Sequence, residues 1–240
     1  MGIENNIMSE LEKEYDDYIL LCRCATRNLK ARILNIQEDL ASSEGYNVIE
    51  SFDSRIKSFD STLAKLRRNQ MPFTVKSMRE LHDIAGVRIL TPFRDDIEKV
   101  VDMLRKQKSL QIVEERDYVT SPKDNGYSSY HVIANMTFHL SEDEYTVPVE
   151  IQIRDLGMNY WAQIEHKIRY ANKKAGRSEY LPEEVAQELD EGFREIAAMV
   201  AEIDKKTLYL RNLAGVHAAV GHSHSGHSSQ SEQSEQSDNN

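Results

Sequence analysis

Cysteine is scarce in this sequence: Cys22 and Cys24 are the only two in 240 residues. Neighbours two apart are poorly placed to bridge each other, and a disulfide framework needs more of them. A reducing compartment is therefore expected. Long apolar runs are also missing. None approaches the ~18 residues that a membrane-spanning helix requires. The N-terminus, Met-Gly-Ile-Glu-Asn-Asn, lacks the basic segment and apolar stretch of a secretory leader. These absences together predict a cytoplasmic protein with no membrane partner. Positive charge is in short supply too. Thirty Lys and Arg against 40 Asp and Glu leave a net charge of −10, which argues against a general nucleic-acid coat, since that needs a basic footprint. Such basic charge as there is gathers locally. Residues 55–68 hold Arg55, Lys57, Lys65, Arg67 and Arg68 against Asp60 alone. A polyanion site explains that concentration; a solvated helix face is the plainer alternative.

Hydrophobic periodicity supplies the outline. Ile7, Leu11, Tyr15, Tyr18, Cys22, Ala25, Leu29, Ile33, Ile36 and Leu40 recur at steps of three or four, which predicts one long amphipathic helix over 7–41. Ser42-Ser43-Glu44-Gly45 ends it. Further helices are expected over 56–68, 77–84 and 95–106. Strands are expected over 86–90, 110–113, 129–138 and 145–154. A helix follows Gly157, and Val185, Leu189, Phe193, Ile196, Val200, Ile203 and Leu210 mark another long one at near-heptad spacing, suited to packing on the first helix or on another subunit. Residues 221–240 carry no apolar side chain, so a disordered tail is expected. His222, His224 and His227 within it offer at most weak metal affinity. The fold class that results is α+β: a mixed sheet with helices on one side and long terminal helices alongside. The corresponding divisions are an N-terminal helix over 1–44, a central domain over 45–178, a C-terminal helix over 179–215 and a tail over 216–240.

The strand at 145–154 is the most informative segment. Val147, Val149, Ile151 and Ile153 take one face; Glu150, Gln152 and Arg154 take the other, about 7 Å apart along it. A carboxylate, an amide and a guanidinium in a row can hold a metal ion, a base edge and a phosphate. A polar outer strand face is the structural alternative. Asp83, just before the strand that holds Arg88, can join Glu150 in a two-carboxylate magnesium site completed by phosphate oxygens, or it can be a turn residue. Pro122-Lys123-Asp124-Asn125-Gly126-Tyr127 is a tight turn that leads out to an aromatic, able to stack on a base. The doublet His82-Asp83 invites comparison with metal phosphohydrolases, but no helical segment supplies the further His and Asp ligands.

Five stretches together resemble the synthetase domain of the RelA/SpoT homologue family, and its single-domain branch, the small alarmone synthetases, most of all. They are Arg55-Ile56-Lys57-Ser58; Asp83-Ile84-Ala85-Gly86-Val87-Arg88-Ile89; the loop from Pro122 through Tyr127 to His131; Val149-Glu150-Ile151-Gln152-Ile153-Arg154; and Trp161-Ala162-Gln163-Ile164-Glu165-His166-Lys167. The resemblance covers about 45–175 and implies a nucleotidyltransferase-like sheet. The implied enzyme moves the β,γ-diphosphate of ATP to the 3′-hydroxyl of GDP or GTP, with Mg2+. It also implies roles. Asp83 and Glu150 match the metal-binding and catalytic carboxylates, Arg55 and Arg88 the arginines on adenine, and Lys57, Lys65 and Arg68 the cations on the triphosphate. Tyr127 matches the guanine-stacking tyrosine, with Lys123, Asn125, His131, Gln152 and Arg154 on the same acceptor side. A homotetramer built on the terminal helices, and regulation by an alarmone or by RNA, are further implications. Three positions depart from the family pattern: Ser128 stands where Arg is usual, Tyr130 where Leu is, and Asp155 where Thr is. They are expected to lie on the acceptor side and to bear on acceptor preference. A nucleotidyltransferase and an RNA-binding regulatory module are the alternative functions.

Overall fold

The computed structural model describes residues 2–174 and 182–216. The expected tail therefore lies outside the described residues beyond Val216. Eleven elements appear in these residues. Helix α1 (Gly2–Glu44) is followed by β1 (Ser51–Ile56), α2 (Phe59–Arg68), α3 (Val75–Arg79) and β2 (Ala85–Thr91). Then come α4 (Asp96–Arg105), β3 (Leu110–Asp117), β4 (Tyr130–Leu140), β5 (Asp143–Asp155), α5 (Leu156–Lys174) and α6 (Glu183–Leu213).

The five strands form one sheet in the order β1-β2-β5-β4-β3. Only β2 and β5 run parallel; every other pairing is antiparallel. Strand alternation sorts the side chains. Val87, Ile89, Val132, Ala134, Met136, Val149, Ile151 and Ile153 enter one core against α1 and α4. The stripe expected of α1 is there: every member from Leu11 to Leu40 is buried. Ile7 lies among the residues whose side chains are not described. Fully burying each such aliphatic side chain stabilises the fold by roughly 1.5–3 kcal/mol, which is why a helix this long lies down on the sheet.

Three expectations need correction. Residues 51–56 are an edge strand, not a lead-in to a helix. The helix α2 starts only at Phe59, because Ser58 adopts extended backbone and its hydroxyl accepts from Ser61 N. Helix α3 likewise begins earlier than expected, capped by Thr74, and ends at Arg79. Asp83 therefore sits on a turn that feeds β2 rather than at a helix end. Finally, helices cover both faces of the sheet. α1 and α4 take the apolar face, while α5 leaves the end of β5 and turns back over its polar face, with α6 packed on α5.

Helix α6 is fitted closely. Trp161 Nε1 donates to Phe193 O at 2.8 Å, and the two rings meet edge-on at 5.6 Å. Two glycines make this approach possible. A Cβ at Gly126 would lie 2.6 Å from Ala197 Cβ, and Gly126 also holds φ at +89°, where side chains are strained. A Cβ at Gly157 would lie 2.7 Å from Val200 Cγ1. Beside Gly157, Asp155 and Asp204 come together. Asp155 Oδ1 accepts from Met158 N at 2.7 Å and so caps α5. The Oδ2 of each aspartate is buried without a hydrogen-bond partner. Burial, and then the charge of Asp155, pushes the Asp204 carboxyl up to about 6.

A carboxyl whose affinity for protons rises on folding favours the folded state where it is protonated. That contribution is complete below the ordinary value of 3.8 and is lost as pH rises through about 6. Asp204→Asn should therefore melt at a higher temperature than the wild type above neutral pH, with the gap closing as pH falls below about 6. Thermal melts of both proteins across that range check it.

Candidate active site

The polar face of the sheet and the underside of α5 enclose a cleft of about 810 Å³. Three strands supply its floor. Asp53 and Arg55 come from β1, Gly86 and Arg88 from β2, and Glu150, Gln152 and Arg154 from β5. Pairing sets their order: Arg55 lies opposite Gly86, Gly86 opposite Glu150, and Arg88 opposite Gln152. Helix α5 contributes Ala162, Gln163, Glu165, His166 and Lys167 along the other wall.

One end of the cleft is built around Asp83. Its Oδ2 lies 2.6 Å from Lys57 Nζ and 2.8 Å from Lys65 Nζ, while Oδ1 is buried without a hydrogen-bond partner. Burial pushes the Asp83 carboxyl up, but the hydrogen bonds and charges of the two lysines outweigh it and hold the group below the ordinary carboxylate value. Asp83 is thus an anion at neutral pH. Burial, and then the nearby Arg154 and Arg55 charges, lowers the Arg88 guanidinium from its ordinary value. An arginine remains a cation under any such shift, so Arg55, Lys57, Lys65 and Arg88 outnumber the Asp53 and Asp83 carboxylates at this end. Such a wall suits a polyphosphate.

The other end is built around Glu150. His131 Nδ1 lies 3.1 Å from Oε1, and Gln152 Nε2 donates to Oε2 at 3.0 Å. Burial pushes the Glu150 carboxyl up and the Asp83 charge adds to that, but His131 and Gln152 together bring it below the ordinary value. Tyr127 stands beside it. Its hydroxyl lies 2.9 Å from His131 Nε2, and its ring has Lys123 Nζ at 5.1 Å and Arg154 Cζ at 5.2 Å from the centroid. The ring also meets Trp161 edge-on at 6.0 Å, so an aromatic series joins it to Phe193 of α6.

Of the residues singled out in the sequence, Arg55, Lys57, Asp83, Arg88, Tyr127, Glu150, Gln152 and Arg154 line the cleft. Lys65 reaches it through Asp83, His131 through Glu150, and Lys123 through Tyr127. Two do not line it. Arg68 is exposed at the end of α2. Asn125 uses its side-chain oxygen to accept from Tyr127 N at 3.1 Å, which shapes the loop. Two of the three departures from the family pattern also fall elsewhere. Tyr130 points to the apolar face, its hydroxyl 2.5 Å from Glu115 and 3.2 Å from Arg105. Asp155 caps α5 and faces α6. Ser128 alone stays in the acceptor loop, its hydroxyl buried without a hydrogen-bond partner.

Sequence reasoning assigned no role to Tyr118, Asp53 or the wall of α5. Tyr118 meets His131 edge-on at 5.4 Å and Tyr127 at 6.1 Å, and Lys123 Nζ lies 4.8 Å from its centroid. No local pattern marks it, because its position depends on β3 pairing with β4. Asp53 alternates with Phe52 and Ser54, a signal that becomes visible once 51–56 is read as a strand. Gln163, His166 and Lys167 follow Trp161 at helical spacing on one polar face.

A metal ion is compatible with these groups. The orphaned, buried Oδ1 of an ionised Asp83 is a hard oxygen donor aimed at no protein partner. Among the described residues, no three His, Cys, Asp or Glu side chains gather into a closed metal cage. That fits Mg2+, which takes one or two carboxylates and relies on substrate phosphates and water for the rest.

Comparison with known proteins agrees with this geometry. The family described as "Region found in RelA / SpoT proteins" matches residues 54–175. The chain is 36% identical over 215 residues to the GTP pyrophosphokinase YwaC of Bacillus subtilis, a match covering 88% of this chain and 98% of that protein. It is 35% identical over 201 residues to the GTP pyrophosphokinase YjbM of the same organism, covering 80% and 92%. The crystal structure of small alarmone synthetase 1 from Bacillus subtilis bound to its product pppGpp is similar with a TM-score of 0.72 and 31% identity, over 84% of this chain and 98% of that one. By matched region, by near-complete coverage of these compact relatives and by fold, the chain belongs to the RelA/SpoT family, in its small alarmone synthetase branch.

Proposed function

We propose that this protein transfers the β,γ-diphosphate of ATP to the 3′-hydroxyl of GDP or GTP, with GMP a further candidate acceptor, and so makes (p)ppGpp. The observation that carries the reading is the cleft itself: two ionised carboxylates, Asp83 and Glu150, lie between a cationic end and an aromatic end. Diphosphoryl transfer needs in-line placement and charge neutralisation more than covalent help, and the cleft supplies both.

The cationic end takes ATP. The Arg55 and Arg88 guanidinium planes suit the faces of adenine, and Lys57 and Lys65 suit its phosphates. Arg68 can reach phosphate only from outside the cleft. Asp83 would hold Mg2+ through its free Oδ1, with Glu150 lending a remaining lone pair, and the ion would neutralise charge on the β- and γ-phosphates. Bound phosphate would draw Lys57 and Lys65 from Asp83 without leaving that carboxylate unpaired. The aromatic end takes the acceptor. Tyr127 offers a ring to guanine, and Lys123 lies over that ring within reach of the 5′-phosphates. Glu150 faces the 3′-hydroxyl as hydrogen-bond acceptor and proton acceptor. ATP and guanine nucleotides are cytoplasmic, and no helix among the described residues is long and apolar enough to cross a membrane.

Purified protein given ATP, GDP and Mg2+ should yield AMP and a guanosine carrying diphosphates at both the 3′ and 5′ positions, resolved by anion-exchange chromatography. ADP would instead identify a single-phosphoryl kinase, and released pyrophosphate a nucleotidyltransferase. Asp83→Asn and Glu150→Gln should each lower the rate by about 10²–10³ while leaving the melting temperature close to that of the wild type. Near-normal turnover in either variant would remove that residue from the mechanism.

Self-association is the second part of the proposal. In α6, Phe193 is buried, whereas Met199, Ile203, Tyr209, Leu210 and Leu213 are exposed. Among the described residues, α6 packs on α5 rather than on α1, so the near-heptad stripe is only partly covered within one chain. A homotetramer would cover it. Light scattering should give a mass well above the 27.6 kDa of one chain, and Ile203→Glu should reduce it.

A further inference from the structure

Arg154 matches a residue of the acceptor side, where a cation for the nucleotide's phosphates is expected. Its surroundings argue for another task. The side chain is 5% exposed. Nε donates to Ser129 Oγ at 3.3 Å, and Nη2 donates both to Tyr127 Oη at 2.8 Å and to Gln152 Oε1 at 3.0 Å. Three of the five guanidinium N–H donors are thus spent on protein, and only the Nη1 pair remains for a ligand.

Donor accounting gives the surrounding hydrogen bonds a direction. An ionised carboxylate only accepts, so His131 must donate to Glu150 Oε1 through Nδ1–H, at 3.1 Å. A neutral imidazole protonated at Nδ1 accepts at Nε2. Tyr127 therefore donates to Nε2 at 2.9 Å, and its oxygen in turn accepts from Arg154. That is one arm. In the other, Arg154 donates to Gln152 Oε1, and Gln152 Nε2 donates to Glu150 Oε2 at 3.0 Å. Both arms begin on one guanidinium, and each ends on a different oxygen of the same carboxylate.

We propose that Arg154 is a positioning residue for diphosphate transfer, which fixes the orientation of Glu150 through these two one-way arms rather than binding nucleotide phosphate. This rests on the reading of Glu150 as the group that meets the acceptor hydroxyl. A closed hydrogen-bonded network in a half-buried site specifies one arrangement of its members, and each bond polarises the next. Tyr127 belongs both to one arm and to the proposed guanine pocket. Arg154 meets the Tyr127 hydroxyl, whereas the base is proposed to meet the ring, so loss of the arm leaves the stacking face in place.

The test is steady-state kinetics on four variants, with melting temperature and titration of a non-hydrolysable ATP analogue to show that each is folded. Arg154→Gln should lower kcat on the order of tenfold to a hundredfold and leave the KM for GDP within about threefold. Arg154→Lys should lose nearly as much, because an ammonium cannot reproduce the planar fork. His131→Asn, whose amide N–H can take the place of Nδ1–H, should keep clearly more of kcat than His131→Ala. A large rise in KM for GDP with kcat retained in Arg154→Gln would overturn the proposal and make Arg154 a phosphate ligand. Equal kcat in the two His131 variants would overturn it independently, even if the Arg154 variants failed to fold. Wild-type protein that forms no guanosine 3′-diphosphate would defeat the functional reading itself, a result separate from either of these.

Discussion

The site depends on one pairing: the parallel register of β2 with β5. It sets Gly86 beside Glu150 and Arg88 beside Gln152, and so brings the turn that carries Asp83 up to the strand that carries Glu150. A slip of one residue would turn Arg88 into the apolar core or Glu150 out of the cleft, since side chains alternate with a period of two. The burial of Val87 and Ile89 on one strand and of Val149, Ile151 and Ile153 on the other enforces the register. The core thus fixes where two like charges meet, although neither carboxylate belongs to it. Their mutual repulsion is offset separately: Lys57 and Lys65 hold Asp83, and donors ultimately anchored on Arg154 hold Glu150. Two anions can then remain ionised close together in a half-buried cleft, where they await a polyphosphate that will itself need its charge managed.

Helix α6 stands outside this centre yet adjoins it. Gly126 lets the acceptor loop lie against Ala197, Gly157 lets the start of α5 lie against Val200, and the Trp161 indole is tied to the backbone of α6. Tyr127 follows Gly126 directly. Helix α6 thus adjoins the ring proposed to hold guanine, through the glycine turn and through Trp161. The same helix exposes the apolar residues proposed to bind a second copy. Assembly and acceptor binding would then share one element, and the carboxyl pair of Asp155 and Asp204 lies at the joint between that element and the catalytic strand.

Much of this was legible in the sequence where a period runs long. Helix α1 announces itself because its stripe from Leu11 to Leu40 is buried, and β5 because its alternation is unbroken. Alternation also places two of the departures from the family pattern. Asp155 shares parity with Ile151 and Ile153, and Tyr130 with Val132, so both belong to the apolar side of the sheet and away from the acceptor face. Strand β1 was hidden for the opposite reason. It is a short edge strand with no fully buried side chain, and the helix-forming residues after Ser58 masked its end. The hydrogen-bonded ring was not legible at all. Tyr127, His131, Glu150, Gln152 and Arg154 come from a loop and two strands, and only the β4–β5 register, with His131 opposite Gln152, closes it. The family resemblance implies these residues as a group, Glu150 as the catalytic carboxylate and the other four on the acceptor side, and the hydrogen bonds among them are visible only in three dimensions.

The central claim is that one face of the sheet holds two nucleotides end to end, ATP over β1 and β2 and the guanine nucleotide toward Tyr127, with Asp83 and Glu150 between them. A crystal structure with a non-hydrolysable ATP analogue, GDP and Mg2+ tests it most directly. The account predicts adenine against Arg55 and Arg88, the ion on Asp83 Oδ1, and the ribose 3′-hydroxyl of GDP within hydrogen-bond reach of Glu150. Guanine lodged between Arg55 and Arg88, or a 3′-hydroxyl turned away from Glu150 with both nucleotides bound, would contradict it.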